Sequence, residues 1–216
     1  MTDIKQQVAQ ALLEIDAVGF SPSAPIRFKS GILSPVYVDN RRLPFHPMQW
    51  QTVIEGFAAI VKSASIAYDV IAGIAVGGVP HSSALGYHLR RPSVFVRKEA
   101  KTHGTTNRIE GGDVSGKRVL LVEDLVTTGG SSLSGVSALR EVEATITDCI
   151  AIVSYGFTEA QNAFAEADVI LHTLTDFQTI LTTAEQMGRF DAAQADIIRD
   201  WFTDAQGWAK RQGFDT

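Results

Sequence analysis

An α/β protein built on a parallel, doubly wound sheet flanked by helices is what this sequence predicts, and three observations carry the prediction. Short apolar runs recur from residue 70 onward at VIAGIAV (70–76), SVFVR (93–97), RVLLVE (118–123), TITDCIAIVSY (145–155) and VILHTL (169–174). They are near-continuous and rich in Val and Ile, as strands buried on both faces are. Helical segments near 79–90, 130–141 and 158–166 fall between several of them. That order is the order of βαβ units, and it places functional loops at the carboxyl ends of the strands.

The rest of the chain is read around that core. Ile4, Val8, Ala11, Leu12 and Ile15 form one apolar stripe behind a Thr2 or Asp3 N-cap, so residues 3–17 read as an amphipathic helix. A second helix starts at Pro47 and carries Trp50, Val53, Ile54, Phe57, Ile60 and Val61 on one side. Between the two, IRFKSGILSPVYVDNRR alternates strand-like pieces with turn residues, a small excursion outside the main sheet. The stretch from residue 191, with Ile197, Ile198, Trp201 and Phe202, reads as one closing helix. Residues 98–117, KEAKTHGTTNRIEGGDVSGK, are long, polar and free of apolar periodicity. A loop of that length inside a compact domain is usually functional or disordered.

Composition narrows the function classes. The chain has 216 residues, 45% hydrophobic and 20% charged, with a formal net charge of −5 at pH 7. Such a chain folds around a sizeable core and is neither disordered, collagen-like nor of low complexity. Mild acidity without a Lys/Arg run removes the footprint of a sequence-independent nucleic-acid binder or a polybasic membrane-surface protein. A few local cations still leave room for a small anionic substrate. No apolar stretch approaches the ~20 residues of a membrane span, and residues 1–20 read as neither a signal nor a transit peptide, so the expected compartment is the cytoplasm. The single cysteine, Cys149, lies in the apolar run CIAIVSY and reads as a small core residue.

The chemistry concentrates in VLLVEDLVTTGGS, residues 119–131. A buried strand delivers Glu123 and Asp124 to its carboxyl end, and Thr127, Thr128, Gly129, Gly130 and Ser131 form a hydroxyl- and glycine-rich turn that opens the next helix. Glycines let backbone N–H groups converge on a phosphate, the hydroxyls add donors, and a helix N-terminus adds a favourable dipole. The carboxylates do not suit the phosphate itself; they suit ribose hydroxyls as acceptors, or a hard cation such as Mg²⁺ through its waters. Acids beside a phosphate cradle imply a sugar phosphate.

This run resembles the 5-phosphoribosyl-1-diphosphate (PRPP) binding motif of type I phosphoribosyltransferases. RKEAKTHG (97–104) is similar to the catalytic loop of the orotate phosphoribosyltransferases, FKSGILSPVYVDNR (28–41) to that family's N-terminal substrate segment, and GIAVGGVP (73–80) to a diphosphate loop. The resemblance runs from about residue 20 to the C-terminus. It implies a type I phosphoribosyltransferase fold, a parallel sheet flanked by helices, with a small hood from the N-terminal segment and part of the C-terminus. The expected division is a single domain over 1–216: N-terminal helix and hood segment over 1–45, α/β core over 46–190, C-terminal helix over 191–216.

Position by position, the resemblance assigns Arg97, Lys98, Lys101 and His103 to the diphosphate and the lid, and Glu123, Asp124, Leu125, Val126, Thr127, Thr128, Gly129, Gly130 and Ser131 to the phosphoribosyl group. Lys101, His103 and Asp124 are the expected catalytic residues, and Thr127 also serves the orotate side. A carboxylate leaving water needs a cation, and Lys29 and Arg41 are the candidates for that of orotate, with Arg27 and Arg42 as nearby competitors. Tyr37 is a candidate edge or face contact to a flat pyrimidine. The implied reaction is phosphoribosyl transfer from PRPP to orotate in pyrimidine synthesis. Mg²⁺ is expected to arrive on the PRPP diphosphate without direct protein ligands, in a homodimer whose lid completes the neighbouring subunit's site. Neither nucleic acid nor membrane is an expected partner. The alternatives are transfer to another base, and a regulatory protein that binds PRPP as a signal.

Two departures from the family pattern stand out. Residues 154–157 read SYGF, where many relatives have an Asp-Arg pair whose Arg contacts orotate; and Gly77 stands where some relatives place a Lys just before Gly-x-Pro. A third pattern is declined: Gly111, Gly116 and Lys117 fit G-x-x-x-x-G-K, but Arg118 replaces the Ser/Thr, and the stretch precedes a strand where a P-loop follows one. His46, His81, His88 and His172 show no metal-ligand spacing. Phe28, Trp50, Phe57, Trp201 and Phe202 read as packing residues.

Overall fold

The fold is that of a computed structural model describing residues 3–28, 31–99 and 108–214. Helix α1 (Ile4–Glu14) starts at Asp3, whose carboxylate accepts from the Lys5 N–H at 3.3 Å. Strands β1 (Val18–Phe20), β2 (Ile26–Arg27), β3 (Leu33–Ser34) and β4 (Val36–Val38) then form two antiparallel pairs outside the main sheet, β1 with β4 and β2 with β3. A 3-10 helix (Asn40–Phe45) leads into α2 (Pro47–Ser63), with the predicted proline in its first turn.

The core follows as β5 (Val70–Ile74), α3 (Gly78–Leu89), β6 (Ser93–Val96), β7 (Ile109–Glu110), β8 (Val119–Val126), α4 (Gly130–Glu141), β9 (Asp148–Ser154), α5 (Thr158–Glu166) and β10 (Ile170–Asp176). Its strands lie in the order β10-β9-β8-β5-β6-β7, parallel except for β7. Each of the five apolar runs supplies one parallel strand. Alternate side chains of one strand enter opposite cores: Ile71, Leu120, Val122, Ile150 and Ile152 pack with α1 and α2, while Val70, Ala72, Leu121, Cys149 and Ala151 pack with α4 and α5. Burial on both faces is why the period-2 signal vanishes into continuous apolarity.

Three readings need correction. The strand expected to end at Glu123 runs on to Val126, because Leu125 and Val126 pair with Val153 and Ser154 of β9. Inside the polar stretch 98–117, Ile109 and Glu110 form the edge strand β7, antiparallel to β6. The single closing helix is two, α7 (Ala192–Thr203) and α8 (Ala205–Arg211), broken at Asp204, whose carboxylate caps the second by accepting from the Gly207 N–H at 2.9 Å. The helix Phe177–Gln186, α6 in the chain order, went unread although Asp176 caps it and Phe177, Ile180, Leu181 and Ala184 give it a buried stripe.

A third core joins the N-terminal excursion to the last helices and makes the hood. Phe28, Tyr155, Phe157, Phe177, Trp201 and Phe202 form one aromatic cluster, and the Trp201 indole N–H donates to the Leu33 carbonyl at 2.8 Å. Among the described residues no helix is long and apolar enough to cross a membrane. Because Trp201 is fully buried and ties β3 to α7, Trp201→Ala should cost about 3–5 kcal/mol of stability. Urea unfolding checks this; a loss under about 1 kcal/mol would mean that the hood does not depend on this contact.

Candidate active site

Strand order reverses around β5: the chain leaves it through α3 to β6 on one side and returns through β8, β9 and β10 on the other. In open α/β sheets such a switch point is where ligands bind, outside the carboxyl ends of the strands. Here β5 stops pairing at Gly73 opposite Val122, while β8 continues through Glu123 and Asp124 along β9. The two acids therefore emerge where one neighbouring strand has turned away.

Consecutive strand residues point to opposite sides, and these two do. Glu123 is buried at 4% exposure; its Oε1 accepts from the Ser132 hydroxyl of α4 and its Oε2 from the Asp124 N–H, both at 3.3 Å. Asp124 is half-buried and lies against the loop after β5, so close that a Cβ on Gly77 would sit 2.3 Å from its carboxyl carbon and oxygens. The departure at position 77 thus has a physical reason: with Asp124 in this pose, no side chain fits there. The Asp124 carbonyl accepts from Asn40 Nδ2 at 2.7 Å, and Asn40 is fully buried. Arg41, next in sequence, pairs through Nε with Asp39 Oδ1 at 2.6 Å, and its charge stabilises the Asp124 carboxylate.

Desolvation, and then the neighbouring Asp124, push the Glu123 pKa well above the ordinary carboxylate range. Burial also raises Asp124, opposed by backbone N–H groups and by Arg41. A pair of acids raised in this way is short of donors and positive charge, and ribose hydroxyls or a divalent cation supply both.

Beyond Asp124 the chain turns through Gly129, whose φ of +84° favours glycine, into α4, which has no side-chain cap. Leu125, Val126, Thr127, Thr128, Gly129, Gly130 and Ser131, with Ser132, Glu123 and Phe28, line a cavity of about 280 Å³. A larger one of about 690 Å³ adjoins it through the shared residues Phe28, Glu123, Leu125 and Ser131. Tyr37, Arg41, Lys98, Asp124, Tyr155 and the loop from Ala75 to Gly77 line this second cavity. Sequence reading thus placed the phosphate-loop residues, both acids, Lys98, Tyr37 and Arg41 around adjoining spaces. Arg97 is engaged elsewhere, its Nη1 3.1 Å from Glu110 Oε1 on β7. Lys29, Lys101 and His103 lie outside the described residues. Asn40 and Ser132 were missed, and Phe28 does more than pack, since it lines both cavities. The signal for Asn40 was slight: a polar residue beside Arg41 in the substrate-like segment.

Residues 46–174 match the phosphoribosyl transferase domain family, the class that this fold and site define. An orotate phosphoribosyltransferase of Coxiella burnetii is 40% identical over 202 residues, 94% of this chain and 97% of that protein. One of Staphylococcus saprophyticus is 36% identical, covering 90% and 96%. The crystal structure of the Aeropyrum pernix orotate phosphoribosyltransferase superposes with a TM-score of 0.73 at 28% identity, over 85% of this chain and 99% of that one. The chain belongs to the orotate phosphoribosyltransferase family.

The raised acids make a testable pH dependence. An acid whose folded pKa is raised keeps its proton to higher pH when folded than when unfolded, so stability falls as pH climbs through the unfolded value and levels off above the folded one. Glu123→Gln abolishes that penalty. The melting temperature of the variant minus that of wild type should therefore rise as pH climbs from about 4, the ordinary carboxylate value, whatever its offset at the acid end. A flat difference would place the Glu123 carboxyl in an ordinary environment.

Proposed function

We propose that this chain transfers the phosphoribosyl group of PRPP to N1 of orotate, giving orotidine 5′-monophosphate and diphosphate. The observation that carries the reading is the joining of a small hydroxyl- and amide-lined cavity to a larger one lined by three acids, two cations and three aromatic rings. The small cavity suits the 5-phosphate, received by backbone N–H groups of residues 127–131 and the start of α4. Glu123 and Asp124, at the junction, suit the ribose hydroxyls. The larger space suits orotate, with Tyr37 against the ring and Arg41 and Lys29 toward its carboxylate.

Orotate N1 is acidic enough to act as an anionic nucleophile. The C1–O bond to diphosphate breaks with its electron pair on the departing oxygen, N1 bonds to C1, and the ribose passes through an oxocarbenium-like state. No covalent enzyme intermediate is required. Negative charge grows on the leaving diphosphate, so Arg97, Lys98, Lys101 and His103 act more strongly in the transition state than in the ground state, and His103 can give a proton to the leaving group. Mg²⁺ carried by the diphosphate would supply further positive charge to the leaving group, and Glu123 and Asp124 would hold it through its waters.

The proposal extends to a homodimer with shared sites and to a cytoplasmic setting. Phe45, Met48, Val76 and Tyr87 are 86%, 72%, 78% and 90% exposed, and such apolar side chains gain from cover by a second copy. A turnover assay with PRPP, Mg²⁺ and a panel of bases tests the reaction: orotate should be consumed, and turnover of another base without orotate would overturn the substrate.

Asp124→Asn should lower kcat/KM for PRPP at least tenfold, about 1.4 kcal/mol, with its fold intact by circular dichroism. Lys101→Ala should be nearly inactive as well. Under conditions that exchange subunits, mixing the two should restore about a quarter of wild-type activity, since half the dimers then hold one intact site of two. Exchange without recovery would place the lid on its own chain's site.

A further inference from the structure

Gly19 of β1 lies directly opposite Tyr37 of β4 in the antiparallel pair. A Cβ at Gly19 would meet the Tyr37 ring at 1.9 Å from Cε1, 2.3 Å from Cζ and 2.7 Å from Cδ1. The ring therefore lies across the glycine, in the volume that any other residue's side chain would fill. Backbone conformation does not call for the glycine, because its φ is outside the left-handed region. Glycine inside a strand weakens it, and a close approach by another group is the usual compensation.

The strand cannot slide away to make room. Val18 is buried in the core, Phe20 packs edge-on against Phe190 at 4.5 Å, and two hydrogen bonds bracket the pair: Asp39 N–H to the Ala17 carbonyl at 2.7 Å and Ser21 N–H to the Pro35 carbonyl at 2.6 Å. Tyr37 is exposed and lines the larger cavity beside Asp124 and Arg41. With one side of the ring seated on β1, the part left uncovered is what the cavity receives.

We propose that Gly19 is a positioning residue for base binding: its missing side chain lets the Tyr37 ring seat on β1 and offer its uncovered part as a wall for a planar pyrimidine. This rests on the reading of the larger cavity as the orotate site. A side chain at position 19 would turn the ring off the strand and spoil that wall without touching either acid or the phosphate loop.

The test is a double-mutant cycle with Gly19→Ala, Tyr37→Ala and the pair together, measuring KM for orotate and for PRPP and the melting temperature. Gly19→Ala should raise the orotate KM about tenfold with the PRPP KM within twofold, and it should add nothing in the Tyr37→Ala background. Tyr37→Phe, which keeps the ring, should keep the orotate KM. If Gly19→Ala folds poorly, the double variant, freed of the collision, should regain the wild-type melting temperature. Equal effects of Gly19→Ala in both backgrounds, no effect in either, or a double variant that stays unstable would overturn the inference while leaving the orotate site intact. An orotate KM unmoved by Tyr37→Ala would instead remove Tyr37 from the base site, and Gly19 with it.

Discussion

Two carboxyl groups on consecutive residues of one strand, drawn partly out of water, impose the conditions that the surrounding structure meets. Burial raises both pKa values, and the neighbouring Asp124 adds to this for Glu123 and Asp39 for Asp124, so free energy is held against the ionised forms. The protein relieves part of this locally: Ser132 and the Asp124 N–H serve Glu123, and Arg41 faces Asp124. It does not relieve all of it, since both acids stay raised. A ligand bringing hydroxyl donors and positive charge finds unmet demand here, and that demand is a source of affinity which apolar contact cannot supply.

Holding the acids in this state takes backbone that cannot give way, and the topology supplies it. Between β5 and β9, β8 is pinned on both sides up to Val122 and on one side beyond it. Where the second pinning ends, Asn40 replaces the missing strand by donating to the Asp124 carbonyl, and Gly77 closes the gap from the loop. Asn40 comes from the 3-10 helix that the hood feeds, so packing in the aromatic cluster and the pose of Asp124 belong to one mechanical unit. A residue far from Asp124, such as Trp201, thereby bears on it.

Much of this was legible from residue order. Strands buried on both faces announce themselves as Val- and Ile-rich runs, and α4 and α5 fell on their predicted spans because glycine, serine and threonine punctuation bounds them. The loop proposed to take the phosphate stands out for a similar reason: the residues that mark it, 127–131, are contiguous, and they line one cavity. What escaped depends on contacts distant in sequence. Asn40 and Asp124 are 84 residues apart, and nothing in DNR says that its amide will finish a strand. The seating of Tyr37 on Gly19 requires the register of β1 against β4, in strands of three residues too short to carry a pattern. Helix α6 was overlooked for a different reason: it starts within β10's own ending at Asp176, where a strand signal masks the cap.

The stretch 154–157 at the end of β9, which carries no arginine, is built into the aromatic core. Tyr155 is 4% exposed, with Phe28, Phe157, Phe177, Trp201 and Phe202 around it, and burial pushes its phenol pKa up. Its hydroxyl has no hydrogen-bond partner among the described residues. A guanidinium set among those rings would lose its hydration, at a cost of several kcal/mol unless an acid paired with it. An aromatic hood core and an arginine at this strand end are therefore alternatives, and this chain has the first. On the proposed reading, one charge that meets the orotate carboxylate is Arg41, which lines the cavity, exposed and paired with Asp39. Surface pairing of that kind is worth little, so the guanidinium can turn to a substrate anion at small cost, which a buried arginine could not do.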